Sequence, residues 1–112
     1  MCQIFASLPP ATYAFQTRSV RLGGHATSIR LELRFWQILE EIADQQGVTL
    51  PKFLTKLHDE ILDRHGEVAN FASLLRCACL TYLAEIRGRD EAEAALVVEA
   101  RRDFRYPLAA AE

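Results

Sequence analysis

At residue 33 the apolar pattern of this chain changes period, from two to that of a helix, and this change limits the fold more than any other feature. Before it, Thr17-Arg18-Ser19-Val20-Arg21-Leu22 sets Val20 and Leu22 on one side of an extended segment and Ser19 and Arg21 on the other. Thr27-Ser28-Ile29-Arg30-Leu31 repeats the device, with Ile29 and Leu31 opposed to Ser28 and Arg30. Each segment has one apolar and one cationic face. Gly23-Gly24 between them accepts the positive φ of a two-residue hairpin turn, a register in which Leu22 faces His25 and Val20 faces Thr27. The pattern permits a hairpin without demanding one. The preferred reading is an N-terminal arm whose Arg18 and Arg21 approach phosphates.

From Leu33 onward, Phe35, Trp36, Ile38, Leu39, Ile42 and Ala43 have the spacing of an amphipathic helix, ended by Gly47. Thr49 is a good N-cap for a second helix with Leu50 and Pro51 in its first turn. Phe53, Leu54, Leu57, Ile61 and Leu62 form its buried stripe up to Gly66. Asn70 caps a third helix carrying Phe71, Leu74, Leu75, Ala78, Tyr82, Leu83 and Ile86, closed by Gly88. Asp90 with Glu93 reads as a capping box for an alanine-rich last helix to about Arg102, followed by a tail around Pro107. The chain divides into an N-terminal arm or extra strand at 1–24, a strand-helix-helix core at 25–66, and a helical extension and tail at 67–112. The fold class is mainly α with a short β-ribbon.

At 112 residues one chain has a modest core, and an oligomer is expected. The net charge of −2 hides an asymmetry: residues 1–39 sum to +3 and residues 40–112 to −5, so a polyanion-binding surface belongs in the N-terminal third. No stretch approaches the roughly 20 apolar residues of a membrane span, and no signal-peptide pattern opens the chain, so a cytoplasmic protein without membrane association is expected.

Sites for chemistry are absent by spacing. Cys77 and Cys79 lie about 200° apart on a helix, which prevents them from sharing a metal or a disulfide. His58 and His65 stand two turns apart, roughly 10 Å, too far to ligate one ion together. No nucleophile motif or phosphate loop occurs. Neither catalytic residues, nor a metal, nor a cofactor is expected, and the chain is not read as an enzyme.

An isolated short strand leaves backbone groups unpaired, and two short helices do not bury its apolar face alone. A second copy is the obvious partner. Two Thr27–Leu33 segments paired antiparallel about a two-fold axis would pack Ile29 and Leu31 down on the helices and project Ser28 and Arg30 outward. A two-stranded ribbon has the width to enter the DNA major groove.

The stretch TSIRLELRFWQILEEIADQQGVTLPKFLTKLHDEIL, residues 27–62, resembles the ribbon-helix-helix superfamily of the Arc and methionine repressors. More narrowly, MCQIF, TRSVR, TSIRLE, FW and NFASLLR resemble a family of short bacterial ribbon-helix-helix domain proteins, over about residues 1–83. The resemblance implies a homodimer, open to higher assembly, that reads double-stranded DNA as a transcriptional repressor or autoregulator. Its outward ribbon positions are Ala26, Ser28 and Arg30, with Glu32 at the strand-to-helix junction. Arg30 is the main base-reading candidate, because a guanidinium can bond guanine O6 and N7 together, and Ser28 makes a weaker contact. The N-terminus of the second helix, at Val48, Thr49 and Leu50 with Lys52 nearby, would hold phosphate. The shared core would hold Ile29, Leu31, Phe35, Trp36, Ile38, Leu39, Ile42, Phe53, Leu54, Leu57 and Ile61. The alternative is an antitoxin, or an oligomerising interaction module, in which residues 67–112 bind a partner protein.

Overall fold

The two alternating segments close on each other. In the computed structural model, which describes residues 2–111 and the side chains of residues 2–104, β1 (Phe15–Leu22) and β2 (His25–Glu32) form an antiparallel hairpin. Leu22 pairs with His25, Val20 with Thr27, Ser19 with Ser28 and Thr17 with Arg30. Gly23 and Gly24 carry φ of +58° and +82°, the pair of positive values that a type I′ turn requires. Residues 17–22 are therefore a strand, which corrects the arm reading. A second copy, expected as the obvious partner of β2, is not needed for this pairing, since β1 takes one edge of β2. Closing a two-residue loop costs little entropy, so the hairpin forms within one chain.

Ahead of β1 lie a single helical turn, α1 (Gln3–Ala6), and a 3₁₀ turn, Pro10–Tyr13, that packs against the next helix. α2 (Leu33–Gln45) follows β2 without a loop, and its first N–H, on Leu33, donates to Ala14 O at 2.9 Å. α3 (Leu50–His65) starts at Thr49, whose Oγ1 accepts the Lys52 N–H at 3.3 Å, and ends at Gly66 in the left-handed region. α4 (Phe71–Thr81) is capped by Asn70, whose Oδ1 accepts from Ser73 N at 3.4 Å.

The third predicted helix changes its hydrogen bonding at its end. Tyr82–Ile86 form a π turn in which Arg87 N donates to Tyr82 O at 2.8 Å. α5 spans Asp90–Ala111, beyond the expected end near Arg102. The predicted capping box is not made: Glu93 reaches back to the Gly88 N–H at 2.8 Å, while its own N–H donates to Arg89 O. The helix begins one residue early, which puts Arg89 at the capping position and moves Asp90 inside.

The core lies between the hairpin and the helices. Val20 and Leu22 from β1 join Ile29 and Leu31 from β2 over Trp36, Leu39, Leu54, Leu75 and Cys79. Trp36 is fully buried, and its Nε1–H donates to Gln16 O at 2.8 Å, so the indole satisfies its one polar group on β1. The Thr55 hydroxyl donates to Arg21 O at 2.9 Å and ties the other end of β1 to α3. Ile38 and Ile42 are buried, and Phe35, Phe53 and Leu57 are half-buried against them. Of the residues expected in a shared dimer core, all but Ile61 belong to this chain's own core or pack against it, because β1, α4 and the π turn bring apolar side chains of their own. Leu62, expected in the buried stripe of α3, is instead exposed.

Candidate nucleic-acid interface

Alternation along a strand sends every second side chain to the same face, and residues paired across an antiparallel ladder share that face. Away from the helices the hairpin therefore presents Phe15, Thr17, Ser19 and Arg21 from β1 beside Ala26, Ser28, Arg30 and Glu32 from β2. All but Glu32 are exposed. Ser28 and Arg30 stand on the face expected of them. The Arg30 guanidinium lies 4.1 Å from the centroid of the Phe15 ring, a cation–π contact across the two strands. Arg21 folds toward the turn, its Nη1 donating to Gly24 O at 2.9 Å.

Arg18 falls on the other face. It shares parity with Val20 and Leu22, and its guanidinium stands 4.7 Å from the Trp36 ring centroid and 2.8 Å from Glu40 Oε1. It was expected, with Arg21, to approach phosphates from an arm; the register turns it toward α2 instead.

Glu32 is the one acid on the outward face, and it is drawn back. Arg76 of α4 donates to its Oε1 at 3.0 Å. A hydrogen bond from its own backbone N–H, reinforced by the Arg76 guanidinium, outweighs partial desolvation and holds the carboxyl below its usual value. Sequence reasoning missed Arg76, since 44 residues separate the pair and no local pattern links them. It also passed over Thr17 and Ser19, although the Gly-Gly register alone sets them beside Arg30 and Ser28.

At the start of α3, Leu50 is buried and the Val48 N–H already donates to Ala43 O at 3.1 Å. Thr49 and Leu50 have no backbone acceptor for their N–H groups among the described residues. Lys52 is exposed and borders the same hollow as Arg21 and Thr55, with Asp59 and Asp103 across it. The positive end of the helix and one ammonium thus stand beside the end of the hairpin that carries the turn.

Cys79 is buried, its thiol donating to Phe35 O at 3.6 Å, whereas Cys2 and Cys77 are exposed. Burial pushes the Cys79 thiol up to about 12. The His58 and Phe71 rings meet edge to face, their centroids 5.3 Å apart and their planes at 85°. Among the described residues no three His, Cys, Asp or Glu side chains gather closely enough to hold a metal ion, and no helix is long and apolar enough to cross a membrane.

A family model described as ribbon-helix-helix domain matches residues 15–83. Its first residue is that of β1, so the matched region includes the hairpin, α2, α3 and α4. Among solved structures the fold is similar to that of an uncharacterized protein from Bordetella pertussis Tohama I, at 47% identity and a TM-score of 0.73. The similarity covers 74% of this chain and 66% of that one. No curated protein matches the chain. Ribbon-helix-helix domains are in general DNA-binding and typically non-enzymatic. A strand, two capped helices and a model match over well more than half of the residues lead to one assignment: the chain belongs to the ribbon-helix-helix domain family.

Proposed function

We propose that this protein is a homodimeric, sequence-specific DNA-binding regulator, a repressor or autoregulator, that reads the major groove with Ser28 and Arg30. The observation that carries the reading is the outward face of the hairpin, where hydroxyls and two guanidinium groups stand together and the single carboxylate is neutralised from behind by Arg76.

The hydrogen-bond pattern supports a dimer. Bonded and non-bonded pairs alternate in an antiparallel ladder, and the Leu33 N–H to Ala14 O bond fixes which class is bonded. Ala26, Ser28 and Arg30 then turn their own N–H and C=O groups away from β1, toward a free edge, while the Glu32 N–H is taken by its own carboxylate. A second copy pairing there gives a four-stranded sheet with the two β2 strands at its centre. Such a sheet is about 15 Å from first strand to last, against a groove about 12 Å wide. The central β2 pair would enter the groove. The outer β1 strands would flank it, with Arg21 near one phosphate row and Lys52, beside the Thr49 and Leu50 N–H groups, adding a second anion contact. Arg18 is assigned to holding β1 on α2.

Selection of bound sequences from random duplex DNA tests this. Two half-sites at fixed spacing are expected, with affinity falling steeply as salt rises. A folded, dimeric Arg30→Ala protein that keeps wild-type affinity for its selected site overturns the reading.

The partner-protein alternative finds its support in Leu80 on α4 and Val98 on α5, both more than half exposed. Purification from the native cell separates the two: bound DNA fragments favour the regulator, and a stoichiometric protein without DNA favours the alternative.

A further inference from the structure

Between α2 and α3 on one side and the C-terminal helices on the other, the packing leaves a cavity of about 270 Å³. Ile42, Phe53, Leu57, Ile86 and Leu96 give it an apolar wall. Tyr82 also lines it, and because its hydroxyl donates to Glu41, it offers the cavity only its ring. Small-molecule sites are concave, mostly apolar and fitted with a few convergent polar groups, and this volume falls just below their usual range of roughly 300–1,000 Å³, which suits a compact ligand. Part of the wall is the π turn at Tyr82–Ile86, a distortion that recurs at functional positions in helices.

The rim carries the chemistry. Glu60 of α3 faces Glu99 and Asp103 of α5, with Lys56 alongside. Burial, and then the like charges of Asp103 and Glu99, raise the Glu60 carboxyl above its usual value, with Lys56 and Arg64 partly offsetting them. Arg102 stands 3.4 Å from Asp103 but is largely in water, where such a contact is weak. Among the described lining residues, three carboxylates therefore meet a single ammonium, that of Lys56, at an apolar opening. A cation would relieve that repulsion, and an anion would add to it.

We propose that this cavity is a binding site for a small organic cation, an ammonium group on a compact alkyl or aryl body. The apolar body lies against Phe53, Leu57, Tyr82 and Leu96, and the ammonium sits among Glu60, Glu99 and Asp103. The occupant touches α3 and α5 together and clamps one on the other.

The test uses the full chain and three probes of one shape: 2-phenylethylammonium, 3-phenylpropanoate and 3-phenylpropanol. Calorimetric titration and thermal unfolding at neutral pH are expected to show saturable one-to-one binding and a raised Tm for the ammonium. The carboxylate and the alcohol bind at least about tenfold more weakly, the equivalent of roughly 1.4 kcal/mol. Two variants locate the site. Glu60→Gln with Glu99→Gln, on the helix surface, weakens the ammonium by about tenfold and leaves the alcohol unchanged. Ala78→Leu, with folding checked by circular dichroism, fills the cavity and removes binding of every probe. The proposal is overturned if the three probes bind alike, if none saturates at millimolar concentration, or if ammonium binding survives both variants unchanged.

Discussion

Glu32 at the end of β2 and Arg76 in α4 are joined at 3.0 Å across 44 residues of chain, so the outward face of the hairpin has its only carboxylate neutralised from the helical side. Both side chains are partly exposed, so the pair itself contributes no more than about 1 kcal/mol. Its effect on the face is larger than its effect on the fold. Arg76→Ala should cost about 0.5–1 kcal/mol in urea unfolding and should weaken DNA binding at low salt, and Glu32→Gln added to it should restore the binding. The pH dependence follows from the lowered Glu32 value: the folded carboxyl titrates below 4.5, so its stabilising contribution is present above 4.5 and is lost as pH falls through the folded value. Stability curves of wild type and Arg76→Ala should converge in that acid range.

Gly23 and Gly24 carry the register. With φ of +58° and +82°, a β-branched side chain at either position is strained by roughly 1–2 kcal/mol. Gly23→Val and Gly24→Val should each lower stability by about that amount, whereas Gly23→Asn should be nearly neutral, since Asn-Gly suits the same turn. Urea midpoints at unchanged m-value are the measurement.

The three cysteines should separate by burial. Cys79 is enclosed, and its thiol is pushed up to about 12, so at neutral pH it has almost no thiolate and no access to reagent. Maleimide added to the native protein should modify Cys2 and Cys77 only, with the third label entering after denaturation. Intact mass before and after urea decides it. Rapid native labelling of Cys79 would mean that α4 does not pack on α2 as described.

Glu60 makes the opposite pH prediction from Glu32. Its folded value lies above 4.5, so the folded state favours the neutral carboxyl. That favourable contribution is complete below 4.5 and is lost as pH rises through the folded value. Glu60→Gln should therefore be slightly more stable than wild type at neutral pH, by less than about 1 kcal/mol, and the difference should vanish on acidification. Thermal midpoints across the acid range measure it.

What the sequence determined by itself is what short-range chemistry decides. The change of period at Leu33 set where extended chain gives way to helix. The Thr49 hydroxyl capped α3, Gly66 ended it, and parity placed Ser28 and Arg30 opposite Ile29 and Leu31. Even the place of Arg18 was legible, since it shares parity with Val20, although it was expected on an arm approaching phosphates with Arg21. The tertiary structure decided the rest. Whether residues 17–22 form an arm or a strand depends on whether Val20 and Leu22 find α3 and Trp36 to cover them, which local sterics do not specify. The neutralisation of Glu32 needed α4 to return to the end of β2, and the cavity needed the π turn and α5 to stop short of filling it. Periodicity tells which face of an element is apolar. Which distant surface covers that face, and how completely, depends on packing between parts of the chain that are far apart in sequence.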